Sequence, residues 1–143
     1  MASIKILFLH FDGVLHPLNS ERENLFCNVH YLEKSLEFAN CKIVITSNWR
    51  LTHSVDTMRE LLPNKIGRLI IGATDLATAL NHQRFVEIQN YLKTYIDSSS
   101  VDWRAIDDMP QDFPSECENL IYCDSHLGMG RAEQIQIAQW LKS

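Results

Sequence analysis

The residues that most restrict the fold are Ile4-Lys5-Ile6-Leu7-Phe8-Leu9, an apolar run of strand length ending in His10-Phe11-Asp12-Gly13. So short and apolar a run reads as a buried strand. Gly13 then frees the backbone for a sharp turn. The pattern recurs along the chain. Lys42 to Ile45 carries three β-branched residues and closes in Thr46-Ser47-Asn48, and Arg68 to Ile71 is ended by Gly72. Val101 to Ile106 runs into Asp107-Asp108-Met109-Pro110, and Leu120 to Cys123 ends at Asp124.

Between these runs the apolar residues change to helical spacing. Val29, Leu32, Leu36 and Ala39 trace one helix, with Asn28 as its expected N-cap. Val55, Met58, Leu61 and Leu62 trace a second, stopped by Pro63; Phe85, Ile88, Leu92, Tyr95 and Ile96 trace a third; Ile135, Ala138 and Leu141 trace the last, from Arg131. Gly13 to Phe26 is expected to be a surface loop or flap, Ala73 to Asn81 a polar linker, and Ser98 to Ser100 and Gln111 to Cys117 loops. Strands alternating with helices imply βαβ units, right-handed crossovers and a parallel sheet. The expected fold class is α/β, a three-layer sandwich on a five-stranded parallel sheet. At 143 residues the chain is expected to form one domain, 1–143.

A net charge of −5 argues against a broad nucleic-acid footprint, which needs clustered Lys and Arg. No apolar stretch approaches the ~20 residues of a membrane span, and Met1-Ala2-Ser3 leads into a strand without a signal-peptide pattern. Cys27, Cys41, Cys117 and Cys123 show no C-x-x-C spacing and read as reduced thiols in or near the core. A cytoplasmic location is the expectation.

In an open parallel sheet, ligands sit beyond the carboxyl ends of the strands. Three such ends carry polar residues suited to phosphate or metal chemistry: His10 with Asp12, Thr46 with Ser47, and Asp107 with Asp108. Neighbours on a strand face opposite ways, so Asp107 and Asp108 need not both reach one site. His16, His30, His53 and His82 lack metal-type spacing and read as surface or loop residues.

These motifs, in this order and over nearly the whole chain from Ile4 to Leu141, resemble the haloacid dehalogenase (HAD) superfamily of phosphotransfer enzymes. The closest likeness is to its small capless domains, some of which accompany nucleic-acid repair enzymes; the acidic balance lends that association no independent support. The resemblance implies a Rossmannoid sheet of order 5-4-1-2-3, no cap domain, and a Mg²⁺-dependent phosphatase site. In that site Asp12 would be the general acid/base, its backbone carbonyl helping to hold the ion. Asp107 and Asp108 would be the acidic pair that binds the metal. Thr46 or Ser47 would offer a hydroxyl to the phosphoryl oxygens, and Arg84 would be the basic residue. Arg50 is a second candidate for an anion, with a plain surface position as the alternative. Asp124, followed by Ser125-His126-Leu127-Gly128, reads as the rim.

The family pattern Asp-x-Asp-Gly has His10 at its first position, where the nucleophilic aspartate would stand. An imidazole cannot form the aspartyl phosphate, and it removes a negative charge that would attract Mg²⁺. Three readings follow. The protein is an impaired phosphohydrolase relative that binds a phosphorylated small molecule or phosphoprotein. Or it remains an enzyme in which His10 or water attacks phosphorus. Or His10, Asp12, Asp107 or Asp108, with His126, holds a transition metal such as Zn²⁺ or Mn²⁺. The sequence is silent on oligomeric state.

Overall fold

The computed structural model describes residues 4–37, 40–94 and 100–143. Ala39, Tyr95, Ile96, Ser98, Ser99 and the opening Met1-Ala2-Ser3 lie outside those residues. In chain order the elements are β1 (Ile4–Leu9), α1 (Val29–Ser35), β2 (Lys42–Ile45), α2 (Val55–Leu61), α3 (Asn64–Gly67), β3 (Ile70–Ala73), α4 (Gln83–Leu92), β4 (Val101–Asp107), β5 (Leu120–Tyr122) and α5 (Arg131–Lys142). The strands form one all-parallel sheet of order β3-β2-β1-β4-β5, with β1 in the centre. The α/β class, the strand order and the absence of a cap all match expectation.

Strand alternation assigns each side chain to a face. Leu7, Leu9, Ile43, Ile45, Ile106 and Ile121 point to one face and pack with Leu32, Met58, Ile137 and Trp140 from α1, α2 and α5. Ile6, Phe8, Val44, Trp103 and Ala105 point to the other and pack with Ile88 and Leu92 of α4 and with Phe113. Phe8 meets Tyr91 and Trp103 edge-on at 5.9 and 5.7 Å, an arrangement that aromatic quadrupoles favour.

Register fixes the position of the site. Leu9 stands opposite Ile45 on one side and Ile106 on the other, so His10, Thr46 and Asp107 follow at the same level on adjacent strands. By alternation all three share the α4 face. The backbone confirms the level: Thr46 N–H donates to Leu9 O at 2.9 Å and His10 N–H to Ile106 O at 3.3 Å.

Four local expectations need correction. β3 begins at Ile70 rather than Arg68. Pro63 does not simply stop α2, because it leads into the short helix α3, where its fixed φ suits a helix start. Asn28 does not cap α1: its Nδ2 donates to Leu127 O and Met129 O, both at 2.8 Å, tying two distant loops together. The segment after Gly13 lies at the surface only from Pro17 onward, and its start is pinned. Val14, Leu15 and His16 are buried, and Met129 N–H donates to Val14 O and Leu18 N–H to Ser125 O, each at 2.8 Å. The thiols are free, with Cys41 and Cys123 buried, Cys117 half-buried and Cys27 exposed. No helix among the described residues is long and apolar enough to cross a membrane.

Candidate functional site

At the carboxyl end of the three central strands His10, Asp107 and Asp108 form a buried cluster, one ligand atom from each lying within 4.8 Å of the others. β4 ends at Asp107 and the chain then bends, so Asp108 is free of the alternation that would have turned it away. Both carboxylates reach one place, a point that strand alternation alone left open. His10 Nε2 lies 3.5 Å from Asp108 Oδ1, and Asp108 Oδ2 accepts the Ser125 hydroxyl at 2.8 Å. Gly13 makes the close approach of Asp108 feasible. It sits at φ 79°, and a Cβ there would meet Asp108 Oδ2 at 2.1 Å.

Arg84 is buried in the first turn of α4, where helix surfaces usually face water. Its Nε pairs with Asp107 Oδ2 at 3.2 Å, and its Nη1 donates to Thr46 O. One turn on, buried Glu87 pairs with Arg50 Nη2 at 3.0 Å and lies 3.6 Å from Arg84 Nη1. Arg50 is therefore neither a surface residue nor free for an external anion. Its remaining donors go to Thr74 O at 2.7 Å, Thr46 O at 2.7 Å and Ser47 O at 3.1 Å, bracing the end of β2. Thr46 and Ser47 are both buried there. Ser47 Oγ accepts Trp49 N–H at 3.3 Å and so caps the 3₁₀ turn Asn48–Leu51.

Asp12 stands apart from the cluster. Its Oδ1 accepts from His16 Nε2 at 2.7 Å and from Trp49 Nε1 at 3.1 Å. His16, read from sequence as a surface or loop residue, is 1% exposed and is part of the site. The i, i+4 spacing of Asp12 and His16 was visible, but it signals a contact only where the chain turns back, as the Asp12–His16 bridge does. His126 is exposed and outside the cluster, while Asp124 Oδ1 accepts His126 N–H at 2.8 Å and shapes the rim turn.

The electrostatics follow from burial. Burial, and after it the Arg84 charge, holds the His10 imidazole down at about 4, against the raising pull of Asp108, Asp12 and Asp112. Burial pushes the Asp107 carboxyl up to about 6, with Arg84 opposing. Burial raises Asp108 as well, opposed first by the Ser125 hydroxyl. Arg84 and Arg50 are matched by Asp107 and Glu87, which leaves Asp108 and Asp12 without a cationic partner among the described residues.

Within the cluster Asp108, without such a partner, stands beside Asp107, and two adjacent carboxylates suit one divalent cation. Asp108 Oδ1 and His10 Nδ1 are buried and make no hydrogen bond among the described residues, while Asp107 Oδ2 is held by its ion pair with Arg84, so donor atoms are in hand for an ion beside that pair. Carboxylate oxygens are the donors Mg²⁺ takes, so the residues fit the ion that HAD enzymes use. The imidazole nitrogen adds a donor better suited to Mn²⁺ or Zn²⁺.

A family model described as the HAD domain in Swiss Army Knife RNA repair proteins matches residues 6–134. No curated protein and no solved structure matches the chain. The match takes in β1 with His10 and Asp12, the acidic end of β4, and every strand of the sheet. With the capless parallel sheet centred on β1, it establishes that this chain belongs to the family of HAD domains of Swiss Army Knife RNA repair proteins.

Proposed function

We propose that this domain binds a phosphorylated ligand over a divalent cation held by Asp107 and Asp108, and that it is impaired as a phosphatase because His10 occupies the place of the nucleophilic aspartate. The observation that carries the reading is the buried His10, Asp107 and Asp108 cluster, in which His10 Nδ1 and Asp108 Oδ1 have no hydrogen-bond partner among the described residues. A bound cation would supply positive charge to the phosphoryl oxygens. The protein's own groups do the rest. Thr46, level with His10, offers its hydroxyl to a phosphoryl oxygen. Asp12 takes or returns a proton at the ester oxygen. Arg84 braces Asp107 rather than touching the ligand, because its guanidinium is committed to Asp107 and to Thr46 O. The RNA-repair setting of the family adds a phosphorylated RNA end to the small molecules and phosphoproteins such a site can take. With a net charge of −5, contact would centre on the terminal phosphate.

A second reading rests on the state of His10. Burial keeps the ring neutral, and its Nδ1 has no partner, so it can act as a nucleophile. In that case the imidazole nitrogen bonds to phosphorus, the ester P–O bond breaks, and Asp12 protonates the departing oxygen; water then releases phosphate.

Hydrolysis of p-nitrophenyl phosphate with Mg²⁺ or Mn²⁺ separates the two. The impaired-site reading expects His10→Asp to turn over at least a hundredfold faster than the native protein, losses on removing a nucleophile being as large as about a million-fold. Equal and substantial turnover in both proteins would overturn it. A phosphoprotein mass increment stable in base and labile in acid would establish the phosphohistidine route.

A further inference from the structure

Asp12 is gripped from two directions. Its Oδ1 takes both the His16 Nε2–H at 2.7 Å and the Trp49 indole N–H at 3.1 Å, and no donor among the described residues reaches its Oδ2. The donors come from separate segments, the turn after β1 and the 3₁₀ turn after β2. His16 is itself fixed. Phe26 N–H donates to its Nδ1 at 3.2 Å, which assigns the ring proton to Nε2. The ring packs against Phe26 at 5.5 Å and Trp49 at 6.2 Å, and Trp49 packs in turn on Phe11 at 5.7 Å and Phe26 at 5.3 Å. The Asp12 side chain nevertheless keeps 40% of its exposure. It is therefore partly open to solvent with one oxygen occupied, and it contributes no atom to the His10, Asp107 and Asp108 cluster.

We propose that His16 and Trp49 are positioning residues for Asp12: by saturating Oδ1 they leave Oδ2 as the atom offered to a bound phosphoryl group, and they keep the carboxylate out of the cation cluster. The inference rests on the reading that the site binds phosphate over a cation. A plain structural contact would lower stability and weaken every ligand together. A positioning clamp separates the ligands, because losing it frees Asp12 to swing toward the cation and away from the phosphoryl group.

Binding of Mn²⁺ and of orthovanadate in the presence of Mn²⁺, followed by calorimetry, tests that separation. Trp49→Phe keeps the ring packing and loses the donor; His16→Leu loses donor and acceptor; His16→Gln keeps an amide N–H for Asp12 and a carbonyl for Phe26. Trp49→Phe and His16→Leu should each weaken orthovanadate about tenfold, the scale of one hydrogen bond to a charged group, with Mn²⁺ affinity unchanged or tighter. His16→Gln should restore most of the loss. Parallel loss of both ligands, or no change in either, would overturn the proposal. Nuclear magnetic resonance supplies a check that needs no ligand: Asp12→Asn should move the Trp49 indole N–H signal upfield and leave those of Trp103 and Trp140 in place. An unmoved Trp49 signal would also overturn the clamp. If the native protein takes up neither Mn²⁺ nor orthovanadate, the phosphate-site reading falls, and the indole signal alone decides whether Asp12 is held as proposed.

Discussion

His10 and Asp107 sit within one buried cluster, and burial displaces their proton affinities in opposite senses. Asp107 titrates at about 6 in the fold against an ordinary 3.8. Between pH 4 and 6 the folded chain thus holds a proton the unfolded chain has lost, and this group's contribution to stability falls as the pH rises. His10 titrates at about 4 against 6.5. Between those values the unfolded chain holds the extra proton, and the contribution rises with pH. Each displacement of roughly two pH units corresponds to about 3 kcal/mol, so the two slopes largely offset one another in the native protein. Removing one partner exposes the other. Relative to native, Asp107→Asn should gain stability as the pH rises from 4 to 6.5, and His10→Gln should lose it, each by a few kcal/mol. Urea unfolding across that range without divalent ions measures both slopes, and slopes of the same sign would contradict the assignment. Protonation of Asp107 below about pH 6 also competes with any cation, so cation affinity should weaken as the pH falls from 7 to 5.

At the scale of elements, α4 does more than cover the sheet. Its first turns present Arg84 and Glu87 at i, i+3, and Glu87 couples that helix to Arg50 in the 3₁₀ turn after β2. Glu87 Oε2 further accepts Ala77 N–H at 3.1 Å and Gln83 Nε2 at 2.8 Å, holding the β3–α4 connection in place. Glu87→Gln keeps the shape but strips the charge from between two buried guanidinium groups. It should destabilise the fold by about 3–5 kcal/mol, the range for breaking a buried ion pair, as read by chemical denaturation. A loss below about 1 kcal/mol would mean the arginines find other compensation. The sequence showed the backbone of this arrangement clearly: parallel strands in register bring their ends level, so the polar residues that close β1, β2 and β4 had to meet. Arg84 was visible as a candidate for the same reason, since α4 precedes β4 and covers its face. What stayed hidden depends on chain reversals without periodicity. His16 returns onto Asp12, Ser125 reaches Asp108, and Asn28 bridges Leu127 and Met129, and no local spacing specifies any of these. Glu87 was hidden for another reason: it looks like ordinary surface charge until Ala77 N–H and Arg50 close on it, and Arg50, visible only as a candidate for an external anion, turns out to be its partner.

For the whole molecule the consequence is a fold that buries a carboxyl group with no cationic partner among the described residues at the carboxyl edge of its sheet. Asp108 has 5% exposure, hydrogen bonds to Ser125, and faces a neutral imidazole rather than a cation. Burying such a group costs stability unless a counter-charge arrives. A cation that binds only the folded chain would add RT ln(1 + [L]/Kd), about 2.7 kcal/mol at a hundredfold excess over Kd. For a chain of 143 residues that amounts to roughly 6–10 °C in Tm. Asp108→Asn separates charge from packing, because the amide oxygen can still accept the Ser125 hydroxyl. Without cation the variant should melt at or above the native temperature, since the buried charge is gone. With millimolar Mn²⁺ or Mg²⁺ the native protein should gain several degrees and the variant almost none. The two curves would then cross, native below the variant in chelator and above it in metal. Scanning calorimetry in each condition reads the crossing directly. A variant that melts lower in chelator yet keeps the full metal response would show that Asp108 is a structural residue and that the cation lies elsewhere.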